Sequence, residues 1–376
     1  MAGDLIELLS RLVAIDSVNP SLVRGGAGEA EIASFVADWS RDAGLEAELL
    51  EENPGRPTAI VRARGSGDGR TLLLCAHLDT VSVDGMTDPH VPRIEADRLY
   101  GRGAYDMKAG LAAALIACRE AATLGLAGDV VVAAVADEEY ASFGVEEALR
   151  AVSADAAIVT EPTELQVAVA HRGFIWLEAE VTGRAAHGSR PHLGVDAIVK
   201  AGPILTAIGE LDDALHERTH PLVGRGSVHA SVIWGGVEWS SYPAQCVIRL
   251  ERRTLPGETP AQIQAELDSL LARCSAADEG LVAEGRTLVV REPFEVSESQ
   301  EIVTAVLAAA AEAGSPSAVT GVSFWADSAF ISAAGIPTVL YGSSGAGAHS
   351  IEEWVSIADT ETVARTLVGV ASRFCA

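Results

Sequence analysis

The sequence predicts an α/β protein: a central, mostly parallel sheet flanked by helices, with a second, smaller domain inserted into the first. Three observations carry that expectation. Residues 71–81 (TLLLCAHLDTV), 130–136 and 156–160 are apolar runs of strand length, as in strands buried on both faces of a parallel sheet. From about Phe174 the pattern changes to alternating, half-exposed strands and helices in the order β-α-β-β-α-β, a split-βαβ unit that can fold by itself. The chain has 376 residues, too many for one core when a domain takes roughly 100 to 200. The expected division is 1–172 and 292–376 for the outer domain and 173–291 for the insert.

Residues 1–15 place leucines and isoleucines at helical spacing with Asp4, Glu7 and Arg11 between them. They lack the basic n-region, continuous apolar core and small-residue cleavage site of a signal peptide. After a turn at 16–20 (DSVNP), 29–43 reads as an amphipathic helix, and 46–50 and 58–63 as strands separated by Asn53-Pro54-Gly55. A glycine-rich turn, GSGDG, leads into the central strand, which runs out into a loop at His77 and Asp79. Strand alternation points these two the same way, at the carboxyl end where open α/β sheets keep their ligands. One could bind a metal while the other orients it.

Residues 100–108 (YGRGAYDMK) precede an alanine-rich helix, 109–124, with Asp106 at its N-terminus. The strand 130–136 ends in Asp137-Glu138-Glu139, and 156–160 ends in Glu161-Pro162. The insert reads as strand 174–181, helix 195–215, neighbouring strands 227–234 and 245–254, helix 260–276 opened by Pro260, and strand 287–291. The outer domain resumes with helices 300–313 and 323–334 and strand 337–341. That strand leads into GSSGAGAHS, a glycine loop carrying His349, and 359–374 is the last helix.

Hydrophobic residues make up 48% and charged ones 21% of the chain, as in ordinary soluble globular proteins. With 27 basic against 53 acidic residues the net charge is −26. Such a field repels phosphate backbones and anionic lipid, so neither nucleic acid nor a membrane surface is an expected partner. No apolar run reaches the roughly 18 residues of a spanning helix. Five scattered cysteines without a CxxC read as reduced, buried thiols and a cytoplasmic location.

Taken singly, each acid in the outer domain reads as a solvated charge or a helix cap. Together, His77, Asp79, Asp106, Glu138, Glu139, Glu161 and His349 form a set of two imidazoles and five carboxylates. Imidazole and carboxylate suit borderline divalent metals, zinc above all. Two ions roughly 3.5–4 Å apart need one shared carboxylate and about two further ligands each. Five ligands meet that count and leave two acids, one to orient a histidine and one to act as a general base. Glu138 and Glu139 are adjacent, so in regular strand geometry they point apart, and a ligand and a base can divide between them. The glycine loops lack the GxxxxGK[ST] and GxGxxG spacings of phosphate and dinucleotide sites.

CAHLDTV, GRGAYDMKAG, ADEEY, TEP, AHGSRPHLGVDAI, LERRTLPGE and GAHSIEEW, in this order, resemble the M20 metallopeptidase family across essentially the whole chain. That group includes deacetylases, desuccinylases, aminoacylases and a bacterial glutamate carboxypeptidase. The resemblance implies a zinc-peptidase-like catalytic domain and a ferredoxin-like lid that also dimerises. It implies two Zn2+, with Co2+ or Mn2+ as alternatives. Asp106 would bridge them, His77 and Glu161 would complete one site, and Glu139 and His349 the other. Asp79 would orient His77, and Glu138 would be the general base.

In the insert, the resemblance makes His187 an oxyanion donor to the partner subunit of a homodimer, and Arg253 a clamp for the substrate carboxylate. From alternation alone, Arg252 and Arg253 face opposite ways and either could serve. Asp327 and Ser343 are further candidates for substrate contact. The implied substrate is an N-acyl amino acid or short peptide with a free carboxylate. Ala109, Ser343 and the run Ser241-Tyr242-Pro243 depart from common relatives, and none of these changes removes a ligand.

Overall fold

The apolar runs become a sheet, and the segments between them become its helices. A computed structural model describes residues 2–376. In chain order the main elements are α1 (Ala2–Ala14), α2 (Ala30–Asp42), β1 (Glu46–Leu50), β2 (Thr58–Ala63), β3 (Leu72–His77), α3 (Ala109–Ala121), β4 (Val130–Val135), α4 (Phe143–Ala151) and β5 (Ala156–Val159). There follow β6 (Gly173–Thr182), α5 (Ala197–Leu215), β7 (Ser227–Gly235), β8 (Gln245–Thr254), α6 (Pro260–Ala277) and β9 (Val282–Arg291). The chain closes with α7 (Glu301–Glu312), α8 (Ser328–Ala333), β10 (Thr338–Leu340) and α9 (Ile357–Phe374).

Two units emerge. The first runs to Val169 and resumes at Val296–Gly321 and Ala326–Ala376; the second is Ala170–Glu295 with Val322–Trp325. The second unit therefore exceeds the expected 173–291 by residues 170–172, 292–295 and 322–325. The last of these joins through Trp325, whose ring meets His171, Phe174 and the Arg291 guanidinium.

In the first unit the strand order is β1-β2-β4-β3-β5-β10. The neighbours β4-β3, β3-β5 and β5-β10 are parallel, while β1-β2 and β2-β4 are antiparallel. Every side chain of β3, β4 and β5 is buried, each fully buried Leu or Val contributing roughly 1.5–3 kcal/mol. Alanines all round α3 let it pack at once on β2, β3 and β4 and on α1 and α9, as a helix apolar on every side must. α4 packs on β2 and β4, and α8 on β5 and β10. The register sets His77 beside Val135 and Cys75 beside Val159, so three carboxyl ends are level.

In the second unit the order is β7-β8-β6-β9, all antiparallel. Ile175, Leu177, Ala179 and Val181 of β6 pack against Ala201 and Ile204 of α5 and Leu267 and Leu271 of α6. Asp196 caps α5 through the Val199 amide, and Thr259 with Gln262 forms a capping box on α6, with Pro260 in its first turn.

Several elements differ from expectation. The helix expected over 323–334 is not formed along that length: Val319–Val322 is a strand and α8 starts only at Ser328. In the non-helical stretch before α8, Trp325 Nε1 donates to the Glu292 carbonyl at 3.1 Å. β9 starts at Val282, not 287, because it pairs along the whole of β6; its alternating polar residues and Gly285 hid that start. α4 was not expected, nor the small sheet that includes Arg93–Glu95, Arg98–Tyr100 and Trp354–Ser356. The five cysteines are free thiols and buried. Among the described residues no helix is long and apolar enough to cross a membrane.

Candidate metal centre

His77 ends β3, and its Nε2 lies 3.1 Å from Asp106 Oδ1 and 3.7 Å from Glu161 Oε1. On the other side of Asp106, His349 Nε2 lies 3.4 Å from Asp106 Oδ2 and 3.1 Å from Glu139 Oε2. Asp106 thus turns one oxygen to each imidazole. His77, Asp106 and Glu161 form one group, and Asp106, Glu139 and His349 another; in each, the ligand atoms lie within 4.8 Å of one another.

Asp106 does not sit at a regular helix N-terminus. It lies in the turn Ala104–Lys108 ahead of α3, with φ −117° and ψ 91°. Glu353 holds this turn: its buried carboxylate accepts the amides of Gly103, Tyr105 and Asp106 at 3.0, 2.9 and 3.0 Å. Arg102 donates to the same carboxylate at 2.6 Å and also to the Ser82 and Ser350 carbonyls. Sequence reasoning missed Glu353, although GAHSIEEW contains it. Glu161 follows β5, where two glycines permit close approach. A Cβ on Gly110 would stand 2.1 Å from the Thr160 carbonyl oxygen, and one on Gly342 2.2 Å from that of Glu161. His349 adopts a left-handed φ of 59° in its loop.

The expected roles of Asp79 divide differently. His77 Nδ1 lies 2.9 Å from the Asp79 backbone carbonyl but 3.8 Å from its carboxylate. A bond to a carbonyl requires a proton on Nδ1, which leaves Nε2, facing Asp106 and Glu161, as the nitrogen a metal would take. The Asp79 carboxylate instead accepts the Glu138 and Glu139 amides, both at 3.1 Å, and Asn19 Nδ2 at 2.7 Å. Glu138 and Glu139 are therefore on a turn, not in strand geometry. Asp137 starts that turn at φ 67°.

The electrostatics are those of crowded acids. Burial first, then the charges of Glu161, Asp327 and Glu139, push the Glu138 carboxyl well above the usual range, against the pull of His77. Burial also raises Glu161, with His77 opposing and Asp106, Glu139 and Asp327 adding. For Asp106 burial acts upward, but the hydrogen bonds with His349 and His77 outweigh it and leave the group below its ordinary range. Hydrogen bonds to Asp106 and Glu139 raise His349 to about 10. Two imidazoles and three carboxylates, with further acids close by, form a donor set that fits a divalent metal pair.

Asp327 and Ser343 are buried, Asp327 just ahead of α8 and Ser343 just after Gly342. His187 and Arg253 belong to the second unit. His187 is exposed, with Nδ1 2.8 Å from Ser189 Oγ. Arg252 is enclosed by Glu258 at 2.6 Å and Glu266 at 3.4 Å. Arg253 keeps about a third of its side chain exposed, with its guanidinium 5.2 Å from the Phe174 ring centre and 2.7 Å from Glu251. Of the two arginines, Arg253 is the more exposed.

A model of peptidase family M20/M25/M40 matches residues 73–373. The chain is similar to aminopeptidase PepT from Bacillus cereus ATCC 10987, with a TM-score of 0.82 and 19% identity over 100% of this chain and 99% of that one. It is also similar to the M20 family metallo-carboxypeptidase Sso-CP2 from Sulfolobus solfataricus, at a TM-score of 0.78 and 19% identity over 99% of both chains. The Bacillus subtilis YXEP protein, a dinuclear metal binding peptidase from the M20 family, gives a TM-score of 0.77 and 16% identity over 100% and 98%. With the family match covering most of its length, and with two groups of potential ligands sharing Asp106, the chain belongs to peptidase family M20/M25/M40 as a metal-dependent amide hydrolase.

Proposed function

We propose that the protein hydrolyses the amide bond of an N-acyl amino acid. The observation that carries this is Asp106, shared between two imidazole–carboxylate groups, with Glu138 left over beside them. His77, Asp106 and Glu161 would hold one ion, and Asp106, Glu139 and His349 the other, with zinc as the first choice. The ions, when bound, supply Lewis acidity towards the amide carbonyl and make a water easier to deprotonate. Glu138 would take a proton from the attacking water as its oxygen bonds to the amide carbon, and would deliver it to the leaving nitrogen as the C–N bond breaks. Asp79 keeps Glu138 in place by accepting its amide, and its carbonyl orients the His77 ring so that Nε2 faces the metal position. A dipeptidase or carboxypeptidase is the second reading, favoured by the similarity to an aminopeptidase and a metallo-carboxypeptidase.

Metal-stripped protein given zinc should hydrolyse at least one member of a panel of N-acetyl, N-succinyl and other N-acyl amino acids and dipeptides. Turnover confined to dipeptides selects the second reading. No turnover from protein carrying two metals per chain would sink both.

For the second unit, the reading includes a homodimer, with Arg253 as a carboxylate-binding residue and His187 stabilising the oxyanion that forms on the substrate in the partner subunit's active site. β7 supports the dimer, since it is an edge strand with Val232, Ile233 and Trp234 exposed, and such edges invite pairing. Sedimentation should give twice the chain mass. Mixing inactive His187→Ala and Glu138→Ala subunits should restore activity as they exchange. A monomer, or verified exchange without recovery, would count against this part.

A further inference from the structure

Behind the metal centre lies a second, buried network of acids. Glu29, Asp79 and Asp137 are all buried. Among the described residues, Arg56 is the one lysine or arginine within 4 Å of any of the three. It grips both oxygens of Glu29 and places Nη2 2.9 Å from Asp137 Oδ1. Its guanidinium also lies 5.2 Å from the Phe143 ring centre and donates to Ser21 Oγ at 3.2 Å. From Asp137 the network continues through buried Asn19, whose Nδ2 donates to Asp137 Oδ1 at 2.9 Å and to Asp79 Oδ2 at 2.7 Å. Asp79 then accepts the amides of Glu138 and Glu139. The path closes because Asp137 begins the turn that carries both glutamates, and its other oxygen accepts the Ala141 amide at 3.2 Å.

We infer that Arg56 is a positioning residue for the metal centre, acting through Asp137 and Asn19 on Asp79 and on the turn that presents Glu138 and Glu139. The inference rests on reading the cluster as a metal centre. The physical reason is charge balance. Without Arg56, Glu29 and Asp137 would stand buried and uncompensated, and burying an unpaired carboxylate is unfavourable enough to force protonation or movement. The turn at Asp137 is the element coupled to Arg56, since the Asp137 side chain meets Arg56, Asn19 and the Ala141 amide while its own amide donates to Glu29 Oε1 at 3.2 Å. An outward shift would take Glu139 from His349 and Glu138 from its place beside Glu161.

A purely structural role makes a different prediction: Arg56 would serve only to neutralise Glu29, and neutralising both together would restore everything. The test therefore uses Arg56→Gln and the double variant Glu29→Gln/Arg56→Gln in the 376-residue chain. Each is stripped of metal, followed by thermal unfolding, and titrated with Zn2+ by calorimetry and with Co2+ by visible absorption. Arg56→Gln should lower the unfolding temperature and weaken at least one of the two metal sites by tenfold or more. The double variant should recover part of the unfolding temperature, Asp137 still lacking its cation, without recovering metal affinity. Wild-type affinity for both ions in either variant would overturn the inference. So would failure of both variants to fold, which would make Arg56 a structural cation. Metal affinity is read without substrate, so a wild-type chain that binds two ions yet hydrolyses nothing would sink the proposed reaction and leave this inference standing.

Discussion

Glu138→Ala should lower turnover by about 10²–10⁴-fold, the usual contribution of a positioned general acid–base group, while the protein still binds two metal ions. The two effects separate because Glu138 belongs to neither group of potential ligands. Its carboxyl is nevertheless held among Glu161, Asp327 and Glu139, and burial raises its proton affinity, which suits a group that must take up a proton and release it. The backbone reason for retained metal is equally specific. The contact between the residue-138 amide and Asp79 survives replacement by alanine, so the turn carrying Glu139 keeps that anchor. Steady-state kinetics beside metal analysis of the same samples would decide. More than a tenth of wild-type turnover would remove Glu138 from the chemistry, whereas lost metal would make it a ligand.

Glu353→Ala should cost about 3–5 kcal/mol of folding stability, the range for breaking a buried ion pair by removing one partner. Arg102 would remain about 3% exposed without its acid, and three amides, those of Gly103, Tyr105 and Asp106, would lose their acceptor. Urea unfolding of the metal-free chain measures the loss. Arg102→Met/Glu353→Met, which removes both charges, should be less damaging than Glu353→Ala, since no buried charge is then left alone. A loss below about 1 kcal/mol, the size of an exposed pair, would show that water replaces the carboxylate and that the turn bearing Asp106 stands without it.

What the amino-acid sequence determined by itself is whatever rests on short-range pattern. Apolar runs of strand length marked β3, β4 and β5, because a strand buried on both faces has no polar positions to spare. The groups at the ends of those runs, His77, the pair Glu138-Glu139 and Glu161, could be named because a parallel sheet brings its carboxyl ends to one edge, while only the family resemblance chose between the two glutamates. Alternation and spacing likewise exposed the β-α-β-β-α-β order of the insert. Tertiary structure decided what depends on residues distant along the chain. Glu353 reaches Asp106 across 247 positions and Arg56 reaches Asp137 across 81, and neither pairing has a local period that could announce it. The same holds for Asp79, whose carbonyl, not its carboxylate, makes the 2.9 Å contact with His77. That choice was made by Asn19 and the 138–139 amides, which claim the carboxylate first. Arg252 and Arg253 were equivalent by alternation until burial against Glu258 and Glu266 committed one of them. Local sequence can state which polar groups a segment offers; only the folded chain, by satisfying or excluding each buried charge, decides which of them remain available for chemistry.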